Sequence, residues 1–282
     1  MKQSSTTVQE IIKEAKRGRM FILVDNKDRE NEGDLVIPAS KINAKKINFM
    51  AKHGRGLICL ALTQEKVKKL KLPLMSLINK SRTQTAFTVS IEAKKGISTG
   101  ISAYDRAKTI KVAIKNSSGS KDIVSPGHVF PLVSKNGGVL ERAGHTEASV
   151  DISKLAKLNP SAVICEVMNE DGTMARYNDL VPFSKKHNLK IAKIEDLISY
   201  RLKNEKFIKM ISNRKINIKR FGNYDLKVFK NKLDGEEHYA VTSKNFSYKK
   251  SPRVRVISTN IINTIFNFKN NIFKSTLNYL SK

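Results

Sequence analysis

Through residue 200 the chain alternates short apolar runs with segments of helical periodicity. The apolar runs at residues 57–62 and 162–168 have the length of buried strands, and apolar side chains recur at helical spacing over residues 8–15 and 105–115. Residues 85–93 alternate polar and apolar side chains, as a half-exposed strand does. This mixture predicts an α+β fold, a three-layer sandwich with a mixed β-sheet flanked by helices.

The sequence changes character beyond residue 212, after a predicted helix that runs from Glu195 to about residue 211. We predict one domain over residues 1–205 and a small C-terminal appendage over residues 206–282, which is short for an independent domain with its own catalytic site. Residues 200–282 carry 19 basic and 5 acidic side chains, a net charge of +14 out of +28 for the whole chain.

The positive charge suggests nucleic acid as one partner, but no RNA-binding aromatic signature, helix-turn-helix pattern or zinc finger accompanies it. The abundance of Lys, Asn and Ile is typical of an AT-rich genome, so we expect no specific nucleic-acid binding. The alternative is a non-catalytic protein that uses its basic C-terminal segment to contact nucleic acid or an acidic partner.

The cysteines and the lengths of the apolar runs indicate the cellular compartment of the protein and whether it enters a membrane. No run approaches the 18 or so apolar residues of a membrane helix, and the polar N-terminal segment has no signal-peptide character. Cys59 and Cys165 lie in separate apolar stretches and do not form a disulfide framework. We therefore expect a cytoplasmic protein with no membrane partner.

Residues 28–34 form a dense acidic cluster directly after a predicted strand. A solvated acidic turn is the ordinary explanation for such a cluster. It is out of character in a chain this basic, however, and clustered carboxylates suit a hard cation such as Mg²⁺. Glu30 and Asp34 are the candidate groups here, with Arg29 beside them.

A second cluster, residues 142–147, lies at a glycine-marked turn that opens a helix. An arginine, a threonine hydroxyl and the free N–H groups of a helix start together favour a phosphate site. His145 within it is a candidate metal ligand or acid–base group. An ordinary helix cap explains the cluster equally well when it is taken alone.

Two further residues stand out individually. His128 enters a strand between two prolines, and Glu166 interrupts an apolar strand. A carboxylate in such a place is either paired or functional. A structural histidine and a solvent-facing glutamate are the alternatives.

Taken together, these clusters resemble one family, 3,4-dihydroxy-2-butanone 4-phosphate synthase of riboflavin biosynthesis. The resemblance covers about residues 5–201 and rests on six motifs in the family's order and spacing: DRENEGD, TAFTVSIEA, STGISAYDRAKTI, PGHVFPL, RAGHTEA and CEVMNEDGTMAR. It implies a lyase that converts D-ribulose 5-phosphate to L-3,4-dihydroxy-2-butanone 4-phosphate and formate. It also implies a homodimer with its sites near the subunit interface.

The resemblance assigns roles to individual positions. Glu30 and His145 would bind Mg²⁺ or Mn²⁺, and His128 and Glu166 would be essential for catalysis. The substrate-binding set would be Arg29, Glu30, Asp34, Arg142, Ala143, Gly144, His145, Thr146 and Glu166. Cys59 would have a supporting role near the site. Residues 79–84 are less typical of the family and add two cations beside the expected site.

The C-terminal segment resembles the opening strands of GTP cyclohydrolase II, to which many relatives are fused. That activity requires zinc held by three cysteines, and no cysteine follows Cys165. The sequence also ends before such a catalytic core would be complete. We therefore expect a degenerate remnant over residues 206–282, with no zinc and no GTP cyclohydrolase II activity, rather than a bifunctional protein.

Overall fold

The computed structural model describes residues 6–76, 78–233, 235–243, 254–258, 275–276 and 279. The chain divides into two compact units, Met1–Glu205 and Lys206–Lys282. Within the described residues no helix combines the length and the apolar character needed to cross a membrane.

The first unit contains seven α-helices and seven strands among its described residues. The helices are α1 Val8–Arg17, α2 Ala44–Phe49, α3 Gln64–Leu70, α4 Ala103–Ile114, α5 His145–Leu155, α6 Tyr177–Lys186 and α7 Ile194–Asn204. The strands are β1 Phe21–Val24, β2 Gly33–Pro38, β3 Cys59–Thr63, β4 Ile91–Ala93, β5 Ile123–Ser134, β6 Ser161–Glu166 and β7 Lys190–Lys193. Short 3₁₀ turns and a π-helical turn, Met50–Gly54, connect some of them.

The seven strands form one mixed sheet in the order β4-β5-β3-β6-β2-β1-β7. β3 pairs parallel with β5, and β1 pairs parallel with β7, whereas the other neighbours are antiparallel. The central strands β3, β6 and β2 are buried almost throughout. Their apolar runs are therefore those of strands covered on both faces.

Each face of the sheet packs against its own layer of helices. One core joins side chains of α2, α3, α4 and α6 to the sheet residues that include Leu35, Leu60 and Cys165. The other core joins α1, α5 and α7 to residues that include Val36, Cys59 and Ile164. The predicted three-layer α+β sandwich is confirmed. Successive residues of one strand face opposite layers, so Cys59 and Cys165 belong to different cores.

Local signals fix the ends of several helices. Thr7 and Glu10 form a capping box at the start of α1, and Gly18 ends the helix with a φ of 70°. A glycine adopts this left-handed conformation without steric cost. Ser102 caps α4 by accepting a hydrogen bond from the Asp105 N–H.

Three elements differ from the sequence-based predictions. Residues 85–93 contain only the short strand β4 and isolated bridges at Phe87 and Thr88, because this stretch bends past the sheet at Gln84, whose φ is positive. The predicted helix running to residue 211 is wrong, since α7 ends at Asn204 and a strand follows. β2 was not predicted, because its first two residues belong to the acidic cluster and interrupt the apolar pattern of a strand.

The second unit contains a three-stranded antiparallel sheet in the order β10-β9-β8. Its strands are β8 Ile208–Ile218, β9 Gly222–Asn231 and β10 Glu237–Ser243. A bulge between Met210 and Ser212 shifts the register of β8 against β9. The residues of the predicted appendage at 244–253 and most of 259–282 lie outside the described part of the chain.

Candidate active site

Two acidic side chains meet where β2 and β6 lie side by side. Asp34 directly opposes Glu166 in the antiparallel register, so both side chains project from the same face of the sheet. Cys59 on β3 opposes Ile164, two residues before Glu166, and projects from that face too. Helix α5 covers this face, which places all three groups beside the start of α5.

The loop between β1 and β2 is organised around Asp25, whose side chain is fully buried. One carboxylate oxygen accepts the Glu32 N–H at 2.9 Å, and the other accepts the Glu30 N–H at 3.3 Å and Arg29 Nη1 at 2.7 Å. Asn31 between them has a positive φ of 54°. These bonds fold the acidic cluster into a tight loop that presents Glu30 to the space beneath α5.

His145, the first residue of α5, lies between the acidic loop and the sheet. Its Nδ1 is 3.9 Å from Glu30 Oε2 and 3.8 Å from Asp34 Oδ1. Its Nε2 is buried and has no hydrogen-bond partner among the described residues. Burial lowers the pKa of the imidazole, and a neutral imidazole is the form that ligates metals.

The same groups fit a divalent cation. Ligand atoms of Asp25, Glu30 and His145 all lie within 4.8 Å of one another. Asp25 already accepts three hydrogen bonds that fold the loop, so Glu30 and His145 are the better-placed ligands. Burial raises the pKa of Asp34, and neighbouring carboxylates raise it further. A cation beside these carboxylates would relieve the repulsion between them.

Glu166 is held by the loop that precedes β3. The Leu57 N–H donates to its Oε2 at 2.8 Å, and the Gly56 N–H donates to its backbone carbonyl at 3.2 Å. A Cβ at position 56 would stand 2.6 Å from that Oε2, so only glycine permits this approach. Burial raises the pKa of Glu166, although its backbone hydrogen bonds act against the rise. A carboxyl with a raised pKa is suited to proton transfer with a substrate.

The site also contains a cation. Arg142 Nη2 donates to the Thr83 carbonyl at 2.9 Å and to Thr85 Oγ1 at 3.0 Å. Thr146 is buried in the first turn of α5 and lines the same cavity. The cavity is open, has a volume of about 600 Å³, and is lined by the acidic groups, Cys59, Arg142, His145 and Thr146. One cavity thus offers carboxylates, an imidazole and an arginine.

Comparison with known proteins shows the family to which the chain belongs. Residues 9–200 match the family of 3,4-dihydroxy-2-butanone 4-phosphate synthase. The chain belongs to this family. It is 49% identical over 251 residues to the synthase of Photobacterium phosphoreum, covering 89% of this chain and 69% of that protein. It is 50% identical over 262 residues to the riboflavin biosynthesis protein RibBA of Aquifex aeolicus, covering 92% of this chain and 64% of that protein.

Solved structures of the family have the same fold. The two-domain synthase RibBX of A. baumannii superposes with a TM-score of 0.77 at 46% identity, covering 84% of this chain and 70% of that one. A synthase in complex with two magnesium ions superposes with a TM-score of 0.68 at 36% identity, covering 71% of this chain and 98% of that one.

The structure brings together most of the residues predicted from the synthase motifs. Those that line the cavity are Arg29, Glu30, Asp34, Cys59, Arg142, His145, Thr146 and Glu166. Arg29 is engaged by Asp25 and Glu30, at 2.7 and 2.6 Å from Nη1. Ala143 and Gly144 do not line the cavity, since Ala143 is exposed and Gly144 is buried beneath Arg142.

His128 is the predicted catalytic residue that the cavity does not include. It lies on β5 near the β4 edge of the sheet, and its side chain is 44% exposed. Its Nδ1 is hydrogen-bonded to Glu92 Oε1. Within the described protomer, His128 therefore belongs to a separate surface beside the loop at residues 98–100.

Sequence reasoning did not single out several residues that shape the cavity. Asp25 folds the acidic loop, Glu32 joins the acidic lining, and Thr83 and Thr85 hold Arg142. Glu147 pairs with Arg142 at 2.6 Å. The only sequence signal for it was its place within the motif RAGHTEA, where an acid in the first turn of a helix also has an ordinary explanation.

Proposed function

We propose that this chain converts D-ribulose 5-phosphate to L-3,4-dihydroxy-2-butanone 4-phosphate and formate, using the cavity beneath α5. The observation that carries the proposal is that one cavity, in a chain that belongs to the synthase family, is lined by Glu30, Asp34, Arg142, His145 and Glu166. The reaction begins by removing a proton next to a ketone, so it requires both charge stabilisation and proton transfer.

We propose Glu30 and His145 as ligands for Mg²⁺ or Mn²⁺. When bound, such an ion stabilises the negative charge that develops on the substrate oxygens after proton removal. The lowered pKa of the His145 imidazole and the 3.9 Å between its Nδ1 and Glu30 Oε2 support the assignment. Arg29 bonds to both Asp25 and Glu30 and so orients the Glu30 carboxylate.

The remaining acids would act on the substrate. Glu166 is held by the Leu57 N–H, and burial raises its pKa, so it is suited to accept and return a proton. Asp34 stands beside it and would bind a substrate hydroxyl. Cys59 also faces the cavity, but burial raises the pKa of its thiol well above the usual range. A neutral thiol there is a packing and shaping group.

The phosphate would bind beside Arg142. Arg142 and Thr146 both line the cavity, and α5 begins between them. The free backbone N–H groups of a helix start favour an anion. A phosphate fixed by these groups would hold the sugar carbons within the cavity that the acids also line.

We also propose a homodimer in which a second copy supplies His128. Its exposed position outside the cavity supports this arrangement. In the same surface, Asp105 orders the loop that carries Ser98 and Gly100. A second protomer that set this surface against the cavity mouth would complete the site.

For residues 206–282 we propose a degenerate relative of the GTP cyclohydrolase II domain, without zinc and without that activity. The support is the lack of any cysteine after Cys165, since that site needs three. We propose a cytoplasmic location, which the two free, buried thiols support. We expect no specific nucleic-acid partner.

Formate release tests the reaction. Purified protein is incubated with ribulose 5-phosphate in Mg²⁺, in Mn²⁺ or in EDTA. His145→Ala is tested beside the control His187→Ala, which alters a histidine packed against Phe183 away from the cavity. We expect metal-dependent formate from the parent and the control but not from His145→Ala. No formate from folded protein with either metal would refute the proposed function.

A mixing experiment tests the shared site. His128→Ala and Glu166→Gln are each expected to be inactive alone, but their mixed dimers would contain one site with both native residues. Activity that returns on mixing supports a His128 supplied by the partner. If the mixture stays inactive although exchange of protomers is demonstrated, His128 acts within its own protomer.

A further inference from the structure

Glu147 is a buried acid that touches the site without lining the cavity. It lies in the first turn of α5, and its side chain is only 1% exposed. Oε1 accepts the Lys135 N–H at 3.1 Å, and Oε2 accepts Arg142 Nη1 at 2.6 Å. Each oxygen therefore has a donor, and any influence on a ligand in the cavity has to pass through Arg142.

The backbone between the two residues is shaped to let them meet. A Cβ at Gly144 would stand 2.3 Å from Arg142 Nη1 and 3.0 Å from Glu147 Oε2. The ion pair therefore lies directly over this glycine. The spacing Arg-x-Gly-x-x-Glu in residues 142–147 is a geometric requirement of the pair, which accounts for three positions of the motif at once.

The pair and two threonines fix the plane of the guanidinium. Glu147 holds Nη1, while Thr83 and Thr85 hold Nη2. The Nε–H and one Nη1–H have no partner among the described residues, and the group has five such donors in a rigid plane. Fixing the plane at two corners leaves the remaining donors in one orientation.

We propose that Glu147 is a positioning residue for the substrate's phosphate group, because it holds the Arg142 guanidinium in the orientation that binds a phosphate dianion. This inference rests on the proposed function, since the phosphate is that of ribulose 5-phosphate. A phosphate contact persists from the bound substrate to the transition state. Its loss is therefore expected to raise KM more than it lowers kcat.

A purely structural role is the competing explanation, and α5 contains a matched control. Asp151 is also buried, and its Oδ2 accepts Arg201 Nη1 at 2.6 Å and the Val139 N–H at 2.9 Å. Asp151 thus repeats the chemistry of Glu147 on the same helix, but neither it nor Arg201 lines the cavity. Asp151→Asn therefore measures how the loss of a buried ion pair in α5 alone affects stability, KM and phosphate affinity.

The experiment compares Glu147→Gln with Asp151→Asn and Arg142→Met. Calorimetry with inorganic phosphate gives the affinity for the anion alone, and formate release gives KM and kcat. We expect Glu147→Gln to weaken phosphate binding and raise KM by about tenfold, the worth of a hydrogen bond to a charged group, with kcat within about twofold. Asp151→Asn should lower Tm comparably and leave KM and phosphate affinity unchanged.

A double substitution shows whether the effect passes through Arg142. In an Arg142→Met background, Glu147→Gln should add nothing to the loss of phosphate affinity. If Glu147→Gln does not fold, Glu147→Asp, which keeps the charge but shortens its reach, should give an intermediate rise in phosphate Kd.

Two results would overturn the inference. One is unchanged phosphate affinity in Glu147→Gln or Glu147→Asp while Arg142→Met loses it. The other is an equal loss in Asp151→Asn. Failure of the proposed function is distinguishable from both results. In that case the parent would release no formate, but phosphate calorimetry would still compare the affinities of the parent and the variants.

Discussion

Buried and half-buried carboxylates in two regions of this protein have pKa values shifted in opposite directions. In the cavity, burial and then neighbouring carboxylates raise the pKa of Asp34, and burial raises that of Glu166. On α4, the Ser98 hydroxyl and the N–H groups of Ser98 and Gly100 lower the pKa of Asp105, which is 2% exposed. Burial outweighs the other causes in the cavity, whereas hydrogen-bond donors outweigh burial at Asp105.

The comparison distinguishes an acid whose hydrogen bonds stabilise the fold from acids that are available to bind a ligand. Asp105 receives three hydrogen bonds and orders a loop, so its charge is satisfied internally. Asp34 and Glu166 oppose each other across two strands, with no basic side chain within the described residues paired to either, His145 apart. They need a cation, a proton or a substrate hydroxyl from outside the fold, which is the property expected of an active site.

The largest effect should follow removal of a cavity acid's charge. Glu166→Gln is expected to lower kcat by about 10²–10⁴-fold, the usual contribution of a positioned acid–base group. The fold should persist, because the amide oxygen can still accept the Leu57 N–H. Steady-state formate release measures this. The exposed Glu195, which pairs with Lys193, provides the control Glu195→Gln, and equal rates for both variants would remove Glu166 from the mechanism.

The next effect tests whether the cavity acids await a cation. At a Mg²⁺ concentration about 100 times its Kd, binding should add about 2.7 kcal/mol to the free energy of unfolding. Glu30→Gln should lose most of this gain, whereas Asp105→Asn should keep it. Thermal unfolding in EDTA and in Mg²⁺ provides the measurement. If Mg²⁺ stabilises Glu30→Gln as much as it stabilises the parent, the ion binds at another site.

Much of the fold followed from sequence periodicity, whereas parts of the site did not. The acidic cluster and RAGHTEA were visible as local patterns, and the structure joins them because β2 and α5 share one face of the sheet. The start of β2 was hidden because Asp34 belongs to both the cluster and the strand. Thr83 and Thr85 were not predicted, since their contact with Arg142 spans 59 and 57 residues of sequence.

His128 illustrates a different limit. Its motif marked it as a candidate, but a motif does not show how far along its strand the cavity extends. β5 reaches the cavity at Leu132, whereas His128 lies four residues earlier on the same strand. The extent of the cavity depends on contacts between segments distant in sequence, which the alternation of apolar residues does not encode.

A smaller effect concerns the support of Glu166. Gly56→Ala would place a Cβ 2.5 Å from the Glu166 carbonyl oxygen, and such overpacking costs about 1–3 kcal/mol of stability. We expect kcat to fall as well, because the carboxylate has to move. Gly119→Ala is the control, since its nearest neighbour would be the Lys69 carbonyl at 3.8 Å. Urea unfolding that shows equal stability for the two variants would contradict the tight approach.

The smallest effect should come from Asp105, whose charge is stabilised by hydrogen bonds within the fold. A group whose pKa is lowered by folding stabilises the protein above its ordinary pKa of 3.8, and this contribution is lost as the pH falls through the folded-state value. Asp105→Asn should therefore be less stable than the parent at neutral pH, and the two should converge in acid. Urea unfolding over a pH series measures the gap, with the exposed Glu170→Gln as control. A gap that stays constant with pH would show that Asp105 acts through hydrogen bonds that an asparagine cannot replace, and its charge would then contribute nothing to the order of the loop beside His128.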